Sequence, residues 1–278
     1  MNLKQIRADI QTSLAENDFE TPGNISLLLF SHLLNKPKAW VLAHPEFEIT
    51  TDEHHALQAA LDQLLQGVPL PHLLGEWEFF GRSFIVSPNV LIPRPETELL
   101  VERALTLAAE MDHPRIVDVG TGSGAIALTL AAELPQAKVI AIDISRPTLR
   151  IARQNAQKHF NKPFPLVQGN LLQPLSGPFD LICANLPYIP TRTLQDLPVA
   201  QWEPVLALDG GPSGLDLIEA LLHQALSRIA PSGCILLEIE SSLGAETLSL
   251  AKSVFPIAEI HLHQDLTGND RLVEIEFP

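Results

Sequence analysis

Beyond Pro114, short apolar runs take turns with helical stretches: RIVDVG, AIALTLAAEL, KVIAIDIS, RPTLRIARQNAQKH, PFPLVQGN and FDLICANLPY. Strands that read as near-continuous apolar runs, each followed by a helix, are the mark of βαβ units in a parallel sheet covered on both faces. The pattern goes on with a helix expected over 215–229, a strand at GCILLEIE and a helix near 243–253. Two terminal strands, AEIHLHQDL and DRLVEIEF, complete it. The expected class is α/β.

Upstream the texture differs. Leu3, Ile6, Ile10 and Leu14, then SLLLFSHLLN, then Leu57, Leu61, Leu64 and Leu65 keep helical spacing, so residues 1–75 read as a small helical domain. Thr50 followed by Glu53 resembles a capping box, and Gly67 suits a helix stop. Residues 76–94 carry aromatic and branched residues around Gly81-Arg82 with prolines ending each run, which predicts a β-hairpin linker. A helix is expected from Pro95 or Glu96 onward, opening a main domain over 95–278.

Composition narrows the partners. Thirty-three acids against 18 bases leave a net charge of −15, with no dense Lys/Arg cluster of the kind that gains affinity by neutralising phosphates. No direct nucleic-acid contact is therefore expected, and a basic protein surface suits an acidic enzyme better. No apolar run is long enough for a bilayer and the amino terminus is charged, so the expectation is a cytoplasmic protein without membrane contact. Cys183 and Cys234 sit in apolar runs and read as reduced core thiols. No Cys/His cluster has zinc-ligand spacing, and no metal is expected. Nothing reads as a coiled coil or symmetric interface, so a monomer is expected.

The stretch DVGTGSGAIAL places Gly120, Gly122 and Gly124 between a strand and a helix, where missing β-carbons let the backbone turn tightly against a ligand. Asp143 follows at the end of the next strand, where a carboxylate accepts from ribose hydroxyls. The loop alone also satisfies a dinucleotide fingerprint, which keeps a nicotinamide enzyme open. Asp118, ahead of the loop, suits the cationic methionine end of S-adenosylmethionine better than a pyrophosphate.

After the strand FDLICA comes Asn185-Leu186-Pro187-Tyr188, at the carboxyl edge where open α/β sheets bind ligands. An amide or amino nitrogen that accepts a methyl group needs hydrogen-bond acceptors to aim it at the sulfonium methyl. The Asn185 side-chain oxygen and the Leu186 carbonyl supply two, Pro187 stiffens the turn and Tyr188 walls the pocket. With an activated donor, no nucleophilic Ser or Cys is needed.

With these residues in view, the chain resembles the release factor glutamine methyltransferases over almost its whole length. The resemblance rests on GEWEFFGRSFIV, LIPRPETELLVE, DVGTGSGAIAL, Asp143, EPVLALDGG, GLD and DLTGNDR, and LIPRPETE is its most specific piece. It implies a seven-stranded, Rossmann-like class I methyltransferase sheet with a helical domain that contacts the substrate. The implied reaction is transfer from S-adenosylmethionine to N5 of the glutamine in the Gly-Gly-Gln motif of peptide chain release factors. It further implies that Gly120, Thr121, Gly122, Ser123 and Gly124 bind the methionine moiety, Asp143 the ribose, Asn170 and Leu171 the surroundings of the adenine. Asn185, Leu186, Pro187 and Tyr188 then take the glutamine, with Asn185 also beside the cofactor.

Several positions depart from the family's pattern, and the run EIESSLGAE lacks the glycine and glutamine expected after the fifth strand. Leu186 stands where proline is usual, Asn170 where an acid is common, and Leu171 where an aromatic stacks on adenine. Asn-Leu-Pro-Tyr as written is familiar from adenine-N6 RNA methyltransferases, which makes such an enzyme the first alternative. A non-catalytic S-adenosylmethionine-binding protein is the second. Arg94 with Glu96 reads either as a piece of the active-site wall or as a helix-start pair, and Glu203-Pro204 as a closing loop or a plain turn. Trp40, Trp77 and Trp202 read as packing residues.

Overall fold

The computed structural model describes residues 1–278, which divide into two compact units, Met1–Gly75 and Glu76–Pro278.

The first unit is helical: α1 (Leu3–Glu16), α2 (Pro22–Leu33), α3 (Lys38–Ala43), α4 (Thr51–Leu65) and α5 (Leu70–Leu74). The apolar spacing seen in the sequence is its core, since Leu3, Ile6, Ile10 and Leu14 of α1 meet Leu29 and Phe30 of α2 and Leu57, Leu61 and Leu64 of α4. Thr50 and Glu53 form the reciprocal capping box at α4, and Gly67, at φ +91°, donates its N–H to the Leu64 carbonyl to close the helix. The short helices α3 and α5 have too few turns to show a period, and α5 lies in a proline-rich run with no helical signature. Trp40 packs within this unit, stacked on His44 and edge-on to Phe47.

The second unit opens with the hairpin β1 (Glu76–Phe79) and β2 (Arg82–Ile85), turned by Phe80 and Gly81, both at positive φ. A single turn of tight helix, Pro95–Thr97, leads into α6 (Glu98–Ala108). Then follow β3 (Arg115–Val119), α7 (Ala125–Glu133), β4 (Lys138–Asp143), α8 (Arg146–His159), β5 (Leu166–Gln168) and β6 (Phe179–Ala184). The chain closes with α9 (Thr191–Leu194), α10 (Asp216–Ala225), β7 (Ile229–Glu238), α11 (Gly244–Val254), β8 (Glu259–Gln264) and β9 (Asp270–Glu276).

These strands build one seven-stranded sheet in the order β5-β4-β3-β6-β7-β9-β8. The first five are parallel, while β9 is antiparallel to both β7 and β8, so the sheet is mixed. Two apolar layers cover its faces, one with α6 and α7 and the other with α10 and α11. Cys183 and Cys234 are unpaired and buried in β6 and β7.

One element differs from the sequence reading. The helix expected over 215–229 stops at Ala225, and Ile229 already pairs with Phe179 of β6. The Phe179 N–H donates to the Arg228 carbonyl, which draws this apolar stretch into the sheet. An apolar run looks the same on a helix as on a buried strand, so tertiary pairing decides.

The direction of winding reverses between β3 and β6, the position where open sheets form a ligand crevice. Val119 of β3 is aligned with Ile142 of β4 on one side and Ala184 of β6 on the other. The next residues, Gly120, Asp143 and Asn185, therefore stand at one level at this edge of the sheet.

Candidate active site

A cavity opens at this edge. Gly120, Thr121, Gly122 and Ser123 form one part of its lining, with Asp143, Asn170 and Leu171 in another and Asn185, Leu186 and Pro187 in a third. Of the twelve candidate residues, ten meet here; Gly124 and Tyr188 lie outside the lining.

The glycine loop is held from below. Gly120 and Thr121 donate their N–H groups to the Ile142 carbonyl at 2.9 and 3.0 Å. Gly120 adopts φ +75°, and a β-carbon there would stand 3.0 Å from Leu186 Cδ2, so glycine answers both a backbone and a packing demand. Gly124, at φ +87°, caps α7 and faces Leu128 and Ala152 rather than the cavity.

Asp118 serves this loop and is absent from the lining, in place of the expected role toward the methionine end. It is fully buried; its Oδ2 accepts from Thr121 Oγ1 at 2.6 Å and from the Ala127 N–H at 3.1 Å, while Oδ1 has no partner. Burial pushes its carboxyl up to about 7, partly offset by those two donors.

Asp143 accepts from the Gly122 N–H at 3.0 Å and from the Ser145 N–H at 2.8 Å, and burial raises its carboxyl. A carboxylate has about four lone-pair sites, so acceptor capacity is left over for a ligand. The same side of the cavity holds Leu171, a non-glycine residue at φ +50°, with Leu172 fixed by the Gln224 side chain at 2.9 Å.

The tetrapeptide is backed by a second glycine-rich segment. Ile189 pairs with the stretch after Ala207, its N–H donating to Leu208 and its carbonyl accepting from Gly210. A β-carbon on Gly210 would lie 2.7 Å from Tyr188 Cα and 2.8 Å from the Pro187 carbonyl oxygen. This is the physical content of DGG in the sequence: backbone packs on backbone behind the turn. Tyr188 is not part of the cavity lining, contrary to expectation. Burial, with the Glu238 charge, pushes its hydroxyl up to about 12.

Arg94 lines the cavity and pairs with Glu203, so it shapes the wall, whereas Glu96 is exposed and outside the lining. Glu203 is buried, and Pro204, Leu206 and Ala207 after it also line the cavity. The sequence reading missed Thr97 and Glu238. Thr97 lines the cavity and accepts from Asn185 Nδ2 at 3.1 Å; it sat unremarked within LIPRPETE. Glu238 ends β7, and the available signal was one acid closing an apolar strand.

Known proteins agree with this architecture. A family model described as "PrmC N-terminal domain" matches residues 5–75 and one described as "Methyltransferase domain" matches residues 111–259. A release factor glutamine methyltransferase of Moorella thermoacetica is 39% identical over 98% of this chain and 97% of its own. One from Enterococcus faecalis is 42% identical over 85% of this chain and 86% of its own. Among solved structures, a methyltransferase from Pyrococcus furiosus aligns with TM-score 0.54 at 20% identity, covering 72% of this chain and 90% of that one, a likeness of fold. No helix is long and apolar enough to cross a membrane. With a class I methyltransferase sheet, a matching amino-terminal unit and full-length relatives above 30% identity, the chain belongs to the family of release factor glutamine methyltransferases, enzymes that use S-adenosylmethionine.

Proposed function

We propose that this enzyme transfers a methyl group from S-adenosylmethionine to N5 of the glutamine in the Gly-Gly-Gln motif of a peptide chain release factor. The observation that carries the reading is the meeting of Asn185 and Leu186 with the Gly120–Ser123 loop and Asp143 around one cavity.

The residues fit the cofactor. Asp143 has acceptor capacity for ribose hydroxyls, and the loop from Gly120 to Ser123, at the amino end of α7, offers backbone against the methionine moiety. Asn170 offers an amide oxygen to the adenine amino group, and Leu171 an apolar surface to its ring. S-adenosylmethionine supplies an activated methyl group, so the protein's task is orientation. Well-oriented reactants account for about 7–11 kcal/mol of barrier reduction.

Asn185 Oδ1 and the Leu186 carbonyl accept the two N–H groups of the glutamine amide and turn its nitrogen toward the methyl. Leu186 retains the backbone carbonyl that a proline would have offered, and its side chain, 4% exposed, packs over Gly120. The turn is braced by Gly210 behind it, which replaces the stiffness of a second proline. Residues 1–75 are assigned to recognition of the release factor and the hairpin over 76–94 serves as the linker, leaving 95–278 for cofactor and chemistry. The enzyme acts in the cytoplasm as a monomer and without a metal.

The test is incubation of the enzyme and S-adenosylmethionine with a purified release factor, followed by peptide mass spectrometry. One added methyl group on the Gly-Gly-Gln glutamine supports the reading; methylation elsewhere, or none, removes it.

A further inference from the structure

Two buried polar side chains, Thr97 and Glu238, converge on the half-buried Asn185 from different elements. The pairing of Ala184 with Leu237 brings the next residues of β6 and β7, Asn185 and Glu238, side by side at the sheet edge. Thr97, from the turn before α6, is 5% exposed and its Oγ1 accepts from Asn185 Nδ2 at 3.1 Å. Glu238 is 2% exposed, and its Oε2 has no hydrogen-bond partner. Burial pushes the Glu238 carboxyl up to about 7, partly offset by the nearby Thr97 hydroxyl, Arg271 guanidinium and Asn185 amide.

We propose that Thr97 and Glu238 are positioning residues that hold the Asn185 amide with its nitrogen turned inward, so that Oδ1 is the atom presented to the acceptor glutamine. This rests on the glutamine reading above. A carboxamide rotated by half a turn keeps its shape and exchanges an acceptor for a donor, so only its partners decide which end faces the substrate. In the rotated state Nδ2 would face the N–H of the incoming amide, donor against donor. Oδ1 would then face the Glu238 carboxylate, acceptor against acceptor. Thr97 alone does not exclude that state, because a hydroxyl both donates and accepts. The carboxylate does, and Thr97 relays it: one lone pair takes the Asn185 hydrogen while its own hydrogen turns to Glu238.

The test uses the full-length enzyme with Glu238→Gln, Thr97→Val and Thr97→Ser. Measured are methyl transfer to a purified release factor, S-adenosylmethionine binding by calorimetry, and thermal melting at pH 8. At pH 8, above the carboxyl's raised value, Glu238→Gln replaces a carboxylate that only accepts by a group that also donates, and it removes a buried charge. The expected result is a kcat lowered about tenfold or more with a melting temperature equal to or above wild type, a combination that a structural role does not give. Thr97→Val lowers kcat similarly and Thr97→Ser restores it, with cofactor affinity within about twofold of wild type throughout. Wild-type kcat in Glu238→Gln, or equal impairment of the Val and Ser variants, overturns the proposal, and Glu238→Gln decides it if Thr97→Val does not fold. A wild-type enzyme inactive on the release factor removes the functional reading itself, before any variant is compared.

Discussion

The Arg94 guanidinium donates to the carboxylate of Glu203, 109 positions further along the chain, and the same carboxylate accepts from the Ile92 N–H at 2.9 Å. One buried acid thus ties the segment before α6 to the segment that carries Pro204, Leu206 and Ala207 into the cavity wall. Glu203→Ala leaves the buried Ile92 N–H without a partner, while Arg94, more than a third exposed, regains water. The expected loss is about 1–3 kcal/mol of stability by urea denaturation. A weaker KM for the protein substrate should accompany it, since the wall loosens on that side.

Gly210 is expected to tolerate no side chain. In Gly210→Ala the new methyl meets three backbone atoms, at Tyr188, Pro187 and Gly214, at 2.7 to 2.8 Å. Backbone cannot rotate aside as a flexible side chain does, so the tetrapeptide must shift. Misplacement of about 1 Å costs on the order of 100-fold in rate. Steady-state kinetics should show that fall in kcat, while calorimetry shows S-adenosylmethionine binding changed far less, because the glycine loop is anchored separately by Asp118.

That anchor has its own signature. Asp118→Ala orphans the Thr121 hydroxyl and the buried Ala127 N–H, so S-adenosylmethionine affinity should fall with a loss of about 2–4 kcal/mol in stability. The pH dependence runs in a defined direction. The folded carboxyl, raised to about 7 from an ordinary 3.8, contributes most below the unfolded value and loses that contribution as pH rises through about 7. Asp118→Asn, which cannot ionise, should therefore compare more favourably with wild type at pH 8 than at pH 5 in denaturant titrations.

The opposite sign applies to Glu274 on β9. Its side chain is buried, accepts from Arg103 at 2.5 and 2.7 Å and meets His263 Nε2 at 2.7 Å. Despite burial, the Arg103 guanidinium and its other donors hold the carboxyl down at about 2. Stability from this group is complete above the unfolded value of 4.5 and is lost as pH falls toward 2. Arg103→Met strips a buried carboxylate of its main partner and should cost about 3–5 kcal/mol at neutral pH. If melting curves show no loss, the pair is not what joins α6 to β9.

Much of this was legible in the sequence because it is written in local terms. The βαβ alternation, the glycine loop and the acid closing β4 are each short-range signals, and the capping box at Thr50 and Glu53 needs only four residues. The parts that escaped depend on partners distant in sequence. Ile229 reads as a helix end until β6 pairs with it, and Tyr188 reads as a pocket wall until the fold leaves it outside the lining. Thr97 looks like one more polar residue at a helix start until Asn185, 88 positions away, donates to it. Asp118 reads as a cofactor contact because position near the loop does not reveal direction; it points beneath, not into, the cavity.

The most direct measurement is transfer of labelled methyl from S-adenosylmethionine to a purified release factor, run beside the same factor with Gln→Ala in its Gly-Gly-Gln motif and beside ribosomal RNA. Label on the wild-type factor that disappears in the Gln→Ala variant is the predicted result. Label on RNA alone would contradict it and mean that Asn185-Leu186-Pro187-Tyr188 accepts an adenine, and label on none of the three would leave a cofactor-binding protein without this activity.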